Sequence, residues 1–233
     1  MKPSIRALFL ASLSLAPLGS WAAAITDCPV TATVCYQYDD SQAALALLGA
    51  PTRVGDDMRF MPWDFWALSE DGAGPSTSNT TFVFDRVWTP SGAGILSLLV
   101  AEEGDYEIVG NGLVSAQLGL TISSNVLLTD TIAATPLFTA SADSGGMDLW
   151  SLSASGYPVA SFTGPANDVK VSIANTLTAS TTAAGQYAFI HKKFILQAQW
   201  LPSTQEVPVP AALWLLGSGL GVLGVLRRRA VGC

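Results

Sequence analysis

The chain has 233 residues, 49% of them apolar and only 12% charged, with a formal net charge of −7. That length suits one domain better than two, and so low a charged fraction excludes a disordered chain. An acidic balance excludes nucleic acid as a partner, because phosphate backbones need clustered Lys and Arg. One His and three Cys are too few for a His-rich metal site or a zinc ribbon.

The N-terminus carries Lys2 and Arg6, then an apolar run over 7–18, then the small-residue zone Gly19-Ser20-Trp21-Ala22-Ala23-Ala24. This order reads as a secretory signal peptide over 1–24. Pro17 and Gly19 would break the core helix that the run could otherwise form. Small residues fit cleavage after Ala24, the site preferred here, or after Ala22. The residues before Cys28 are Ile25-Thr26-Asp27, which a lipoprotein signal would not tolerate.

Residues 25–201 form the expected extracytoplasmic domain. All 18 acidic residues of the chain lie in 25–206 beside six basic ones, a net −12. Period-two alternation predicts strands over 31–38, 81–88, 113–120, 169–173, 186–191 and 194–200. Two more, over 95–100 and 106–109, flank Glu102-Glu103-Gly104-Asp105, read as a hairpin turn. Further turns are predicted at Asn111-Gly112, Asp143-Ser144-Gly145-Gly146 and Gly164-Pro165. One helix is expected over 41–48, capped by Asp40 or Ser41 and stopped by Gly49. These elements predict an all-β fold, a single β-sandwich or jelly-roll-like ectodomain, followed by a polar stalk over 202–206.

In an oxidising compartment Cys28 and Cys35 are expected to pair. A straight strand between them would hold their Cα atoms ~23 Å apart, against the ~5.5 Å of a disulfide. Pairing therefore requires a reversal near Pro29-Val30.

The domain carries no GxSxG, HExxH or P-loop motif. His191, the lone imidazole, sits in an apolar strand beside Lys192-Lys193 with no nucleophile marked near it, and reads as a strand-end residue. The pairs Asp39-Asp40, Asp56-Asp57 and Glu102-Glu103 could supply a glycosidase's two carboxylates, yet adjacent acids more often mark solvated turns. The segment from Asp143 to Asp148 could wrap Ca²⁺ but lacks EF-hand spacing. Trp63 and Trp66 in Met61-Pro62-Trp63-Asp64-Phe65-Trp66 are expected to fill the core, although exposed Trp faces would stack on sugar rings. The expectation is a non-enzymatic domain without metal or cofactor.

The C-terminus reads Val207-Pro208-Val209-Pro210, then 211–226 without a charge, then Arg227-Arg228-Arg229. The uncharged stretch over 207–226 has the length of a membrane span. Its helical part, 211–226, would rise ~24 Å, a few Å short of the hydrocarbon core, so thinning or arginine snorkelling is implied. The prolines keep the helix from starting earlier. The arginines act as a stop-transfer cluster on the cytoplasmic side, and 230–233 form the cytoplasmic end. Gly217 and Gly221 are spaced for close helix packing.

The order Val-Pro-Val-Pro-Ala-Ala-Leu-Trp-Leu-Leu-Gly-Ser-Gly, followed by the arginine triplet, resembles the PEP-CTERM sorting tail of bacterial exopolysaccharide-associated proteins. It is most similar to the variant written Val-Pro-Leu-Pro-Ala-Ala. The resemblance covers about 207–229; Val209 stands where the name motif has glutamate, and four residues follow the arginines. It implies a partner, exosortase, a membrane-embedded cysteine protease or transpeptidase-like enzyme that would recognise Val207, Pro208, Val209 and Pro210 and cut near them. It also implies an inner-membrane-anchored precursor, a later place at the cell surface or outside it, and association with exopolysaccharide. Two other readings stay open: a carbohydrate- or Ca²⁺-binding module on the same delivery system, and a single-pass surface hydrolase with an unmarked site.

Overall fold

A computed structural model describes residues 23–200, and for 193–200 the backbone alone. The signal segment before Ala23, the stalk and the sorting tail, with Val207 to Pro210 and Arg227 to Arg229, lie outside the described residues. The chain opens with β1 (Ala24–Asp27), β2 (Cys35–Asp39), α1 (Ala44–Leu48), β3 (Thr52–Val54), β4 (Asp57–Phe60) and β5 (Trp66–Glu70). The long strands β6 (Gly74–Trp88), β7 (Ile95–Val109) and β8 (Leu113–Ser124) follow. Then come β9 (Thr131–Ala134), β10 (Leu137–Ala140), β11 (Asp148–Gly156), α2 (Pro158–Ser161), β12 (Asp168–Thr181) and β13 (Tyr187–Trp200). Among the described residues no helix is long and apolar enough to cross a membrane.

The fold is all-β. One antiparallel sheet runs β1-β2-β6-β12-β8-β10, with β9 also on β8; the other runs β11-β7-β13-β4-β3, with β5 also on β13. The two sheets face each other across one core. Phe60 of β4 meets Phe82 of β6 with ring centroids 4.9 Å apart, and Phe138 of β10 stacks on Trp150 of β11 at 5.9 Å. Alternation explains this core: β8 turns Val114, Ala116, Leu118, Leu120 and Ile122 inward, and β12 turns Val169, Val171, Ile173, Leu177 and Ala179 inward.

Several boundaries differ from the sequence-based expectation, and in the long strands the reason is that tertiary pairing carries the strand through a local turn signal. The expected hairpin at Glu102-Glu103-Gly104-Asp105 is straight strand inside β7, paired to β11 on one side and β13 on the other. The strands expected over 186–191 and 194–200 are one, β13, and that expected over 169–173 continues to Thr181. At the start, the strand expected over 31–38 is confined to β2, because the chain first reverses through a turn closed by Ala32 N–H donating to the Pro29 carbonyl at 2.8 Å. The helix expected over 41–48 is only α1. Its Ala43 N-cap offers no side-chain acceptor, and Asp39 instead accepts from the Ser41 amide and hydroxyl at 2.7 Å. Gly49, at φ +74°, ends it as expected.

The reversal at Pro29 brings Cys28 and Cys35 to a Cα separation of 4.6 Å, where they form a disulfide. Arg53 of β3 clamps the same corner. Its guanidinium donates to the Asp27 carboxylate at 2.5 Å, to the Asp27 carbonyl at 2.9 Å and to the Val34 carbonyl at 3.1 Å, while lying 5.0 Å from the centre of the Tyr36 ring.

Candidate functional site

Three polar side chains occupy inward positions where the alternation calls for apolar ones. On β7 the inward series Leu98, Val100 continues to Glu102. On β12 the series Val171, Ile173 continues to Asn175. On β13 the series Ala188, Ile190 continues to Lys192. In the β7–β13 register Lys192 faces Gly104 and Phe194 faces Glu102, so Glu102 and Lys192 are diagonal neighbours on one sheet. Asn175 reaches them from the opposite sheet, between its β6 partner Thr80 and its β8 partner Leu118.

The side chains of Glu102 and Lys192 are both 0% exposed, with the Lys192 Nζ 2.7 Å from the Glu102 Oε2. The same Nζ donates to the Asn175 Oδ1. Phe65 and Trp150 wall the cluster, their ring centres 5.5 Å and 6.0 Å from the Lys192 Nζ. Trp150 is held by its indole N–H donating to the His191 carbonyl at 2.9 Å. That arrangement needs a glycine at 104: a Cβ there would stand 1.9 Å from the His191 carbonyl oxygen and 2.6 Å from the indole nitrogen. Among the described residues the Glu102 Oε1 and the Asn175 Nδ2 have no hydrogen-bond partner.

Burial sets the protonation here. It pulls the Lys192 ammonium down to about 8, against the opposing attraction of Glu102. It pushes Glu102 above the usual carboxylate range, against the opposing pull of Lys192. Both shifts act toward the neutral forms, and at about 8 the Lys192 ammonium stays the majority form at pH 7 with the neutral amine within easy reach. The cluster can therefore present a nucleophilic nitrogen, a carboxamide carbon one bond from the atom that nitrogen touches, and a group able to carry protons between them.

The residues singled out from sequence lie elsewhere. His191, mid-strand rather than at a strand end, points away from Lys192; its Nδ1 is 3.5 Å from Asp105, and its ring stacks on Phe189 at 6.4 Å. Alternation splits the Glu102-Glu103 pair, one buried and one exposed, so they do not face a common cleft. Asp56 accepts from the Thr33 amide at 3.2 Å and from its hydroxyl. Asp143 accepts from the Gly110 and Gly145 amides, both at 2.9 Å, and these bonds hold its carboxyl below the usual range. Asp148 accepts from the Tyr106 hydroxyl at 3.0 Å and the Leu149 amide at 2.8 Å. Among the described residues no three His, Cys, Asp or Glu side chains gather as a cation site requires.

The tryptophan expectation is corrected. Phe65 fills the core, while Trp63 is 79% exposed and Trp66 45% exposed. Trp66 lies on the outer face of β5, its ring 6.4 Å from that of Phe189 on the paired β13. Strand β5 begins only at Trp66, and the register that buries Ala67 and Ser69 turns Trp66 out.

No protein-family model and no curated protein matches the chain. Among solved structures it is similar to the capsid protein VP2 of infectious bursal disease virus. A mutant VP2 in derived T=1 particles is 16% identical over 83% of this chain and 57% of that one, with a TM-score of 0.22. The Gt strain structure is 14% identical over 82% and 60%, with a TM-score of 0.25. The chain thus spans less than two thirds of either, and so slight an overlap says nothing of what it does.

Proposed function

We propose that the chain is an exported, non-enzymatic protein of the cell surface or extracellular matrix, delivered by its signal peptide and processed by exosortase through its C-terminal tail. The observation that carries this reading is the fixed order of the tail: Val207 to Pro210, an uncharged apolar stretch over 211–226, and Arg227 to Arg229. A disulfide and a strongly acidic domain suit an oxidising, solvent-exposed setting. The backbone favours the signal-peptide cut after Ala22 over that after Ala24. Ala24 already pairs with Asp39 in β1, and the Ala23 amide donates to the Asp40 carboxylate at 3.1 Å. A cut after Ala22 keeps that strand whole and sets a new α-ammonium beside Asp40. Mass spectrometry of the mature protein reads both ends at once. The expected product starts at Ala23 and ends before Ala211; a product that keeps 211–229 overturns the sorting part.

A second reading, a module binding exopolysaccharide, is favoured by the outward Trp63 and Trp66, whose faces can stack on sugar rings. In that case a Trp63→Ala, Trp66→Ala variant loses at least tenfold in affinity for the host's own polysaccharide by titration calorimetry, a change of about 1.4 kcal/mol. Equal binding, or none by the wild type, removes it.

A further inference from the structure

We propose that the Lys192 amine and the Asn175 carboxamide condense into an amide bond through the core, with Glu102 carrying the protons, so that the mature domain is covalently locked between β12 and β13. The argument starts from what makes this reaction slow in water. An ordinary lysine is protonated, a carboxamide is a weak electrophile, and ammonia is a poor leaving group. The fold answers each point. The Lys192 Nζ is fully buried among Phe65, Trp150 and a carboxyl group, a setting in which the neutral amine is available as a nucleophile. It already touches the Asn175 Oδ1, one bond from the carbon it must attack. Facing strands hold both reactants, and well-oriented pairs of this kind gain effective concentrations of roughly 10⁵–10⁸ M. The carboxyl of Glu102, 2.7 Å from the Nζ, is the acid and base.

The step balances without a co-reactant. The Nζ lone pair adds to Cγ of Asn175, the carbonyl π electrons move to Oδ1, and Oδ1 takes the Glu102 proton. The resulting carboxylate removes a proton from the cationic Nζ and passes it to Nδ2. The carbonyl re-forms, the Cγ–Nδ2 bond breaks with its electron pair on nitrogen, and ammonia leaves. The proton on Oδ1 returns to Glu102, which ends as it began. Nothing is oxidised or reduced, and exclusion of water from the site protects the product from hydrolysis. Asn175 Nδ2, buried and without a partner among the described residues, is the group that departs. The linkage joins residues 17 apart in sequence but on opposite sheets, which suits a protein kept outside the cell among proteases.

The protein purified from its host and digested with trypsin tests this. Both residues fall in the segment 171–193, which has no Lys or Arg between its ends except Lys192 itself. The expected wild-type peptide is uncut after Lys192 and about 17 Da light, the mass of ammonia. It yields no fragments from backbone bonds between 175 and 192, because the ring holds them together. Glu102→Gln and Lys192→Met should restore full mass. A wild-type peptide at full mass, cut normally after Lys192, overturns the proposal. So does a 17 Da loss that persists in Lys192→Met, since the ammonia would then come from Asn175 cyclising on its own backbone. The wild-type measurement stands alone if either variant fails to fold.

Discussion

A Lys192→Met variant is expected to lose about 3–5 kcal/mol of stability at neutral pH, because it leaves the fully buried Glu102 without the nitrogen it pairs with. The sign of the pH dependence follows from Glu102. Without Lys192, burial alone acts on its carboxyl and holds the folded-state pKa above the 4.5 of the unfolded chain. Folded protein then binds more protons than unfolded protein above that value, so stability falls as pH rises through the window. The variant should lie nearest the wild type at about pH 4 and furthest from it at about pH 7. Adding Glu102→Leu removes the orphaned carboxyl and should return the pH-dependent part. If the core amide forms, the double variant still falls short by about 3 kcal/mol, the chain-entropy contribution of closing so short a loop. Urea titrations of the three proteins at both pH values separate the two contributions. A double variant as stable as the wild type would leave the cluster a plain buried ion pair.

The sandwich itself was legible in the sequence because most core positions announce themselves by alternation. Val114 to Leu120 in β8 and Val169 to Ile173 in β12 are read correctly from period two alone. The failures in the long strands β7, β12 and β13 are more informative, since they fall at the same three residues. The strand over 95–109 reads as two because Gly104 and Asp105 are turn formers by propensity and the charged Glu102 breaks the apolar series. The strand over 168–181 was stopped at Ile173 because Asn175 interrupts the apolar series, and β13 was divided at Lys192. Each residue breaks a local rule, and each is compensated by the other two across the core. Local misfits resolved only by one another are where function is expected to sit. The signal that could have found them is the register itself: extending each alternation through its interruption puts Glu102, Asn175 and Lys192 on inward faces together.

What alternation cannot supply is contact between sheets. Nothing local says that β12 packs its inner face on β13, or that Gly104 is needed so that Trp150 can reach the His191 carbonyl. The aromatic cluster failed for a related reason. Three large rings in Trp63-Asp64-Phe65-Trp66 compete for the core, and hydrophobicity does not rank them. The winner, Phe65, is the one with no polar atom to satisfy, its ring centre 5.5 Å from the Lys192 Nζ, while Trp63 and Trp66 stay exposed. The disulfide is intermediate. The pairing of Cys28 with Cys35 was legible, and the reversal it needs was traceable to Pro29. The Arg53 clamp that fixes the corner comes from a strand 25 residues downstream of Cys28 and carries no local mark.

The sorting tail makes the sharpest all-or-none prediction. An ordinary membrane anchor requires apolar length and flanking charge, and the order of residues within 207–229 is not needed for either. Pro208 and Pro210 add nothing to insertion that alanine would not supply. On the proposed reading they would hold the chain extended at the outer boundary, where an integral protease meets its substrate with the backbone free to be gripped. Changing both to alanine should therefore preserve insertion, and removes a helix penalty of about 3 kcal/mol per proline, so that the span can lengthen toward Val207. Cleavage should stop. Full-length protein should accumulate in the membrane with its ectodomain outside, detected by immunoblot of membrane and medium fractions and by protease accessibility of intact cells. Deletion of the host's exosortase should give the same species from the wild-type gene, which distinguishes loss of recognition from misinsertion. If the double-proline variant is processed and released as the wild type is, recognition does not run through Pro208 and Pro210, and the segment is a spacer before an anchor.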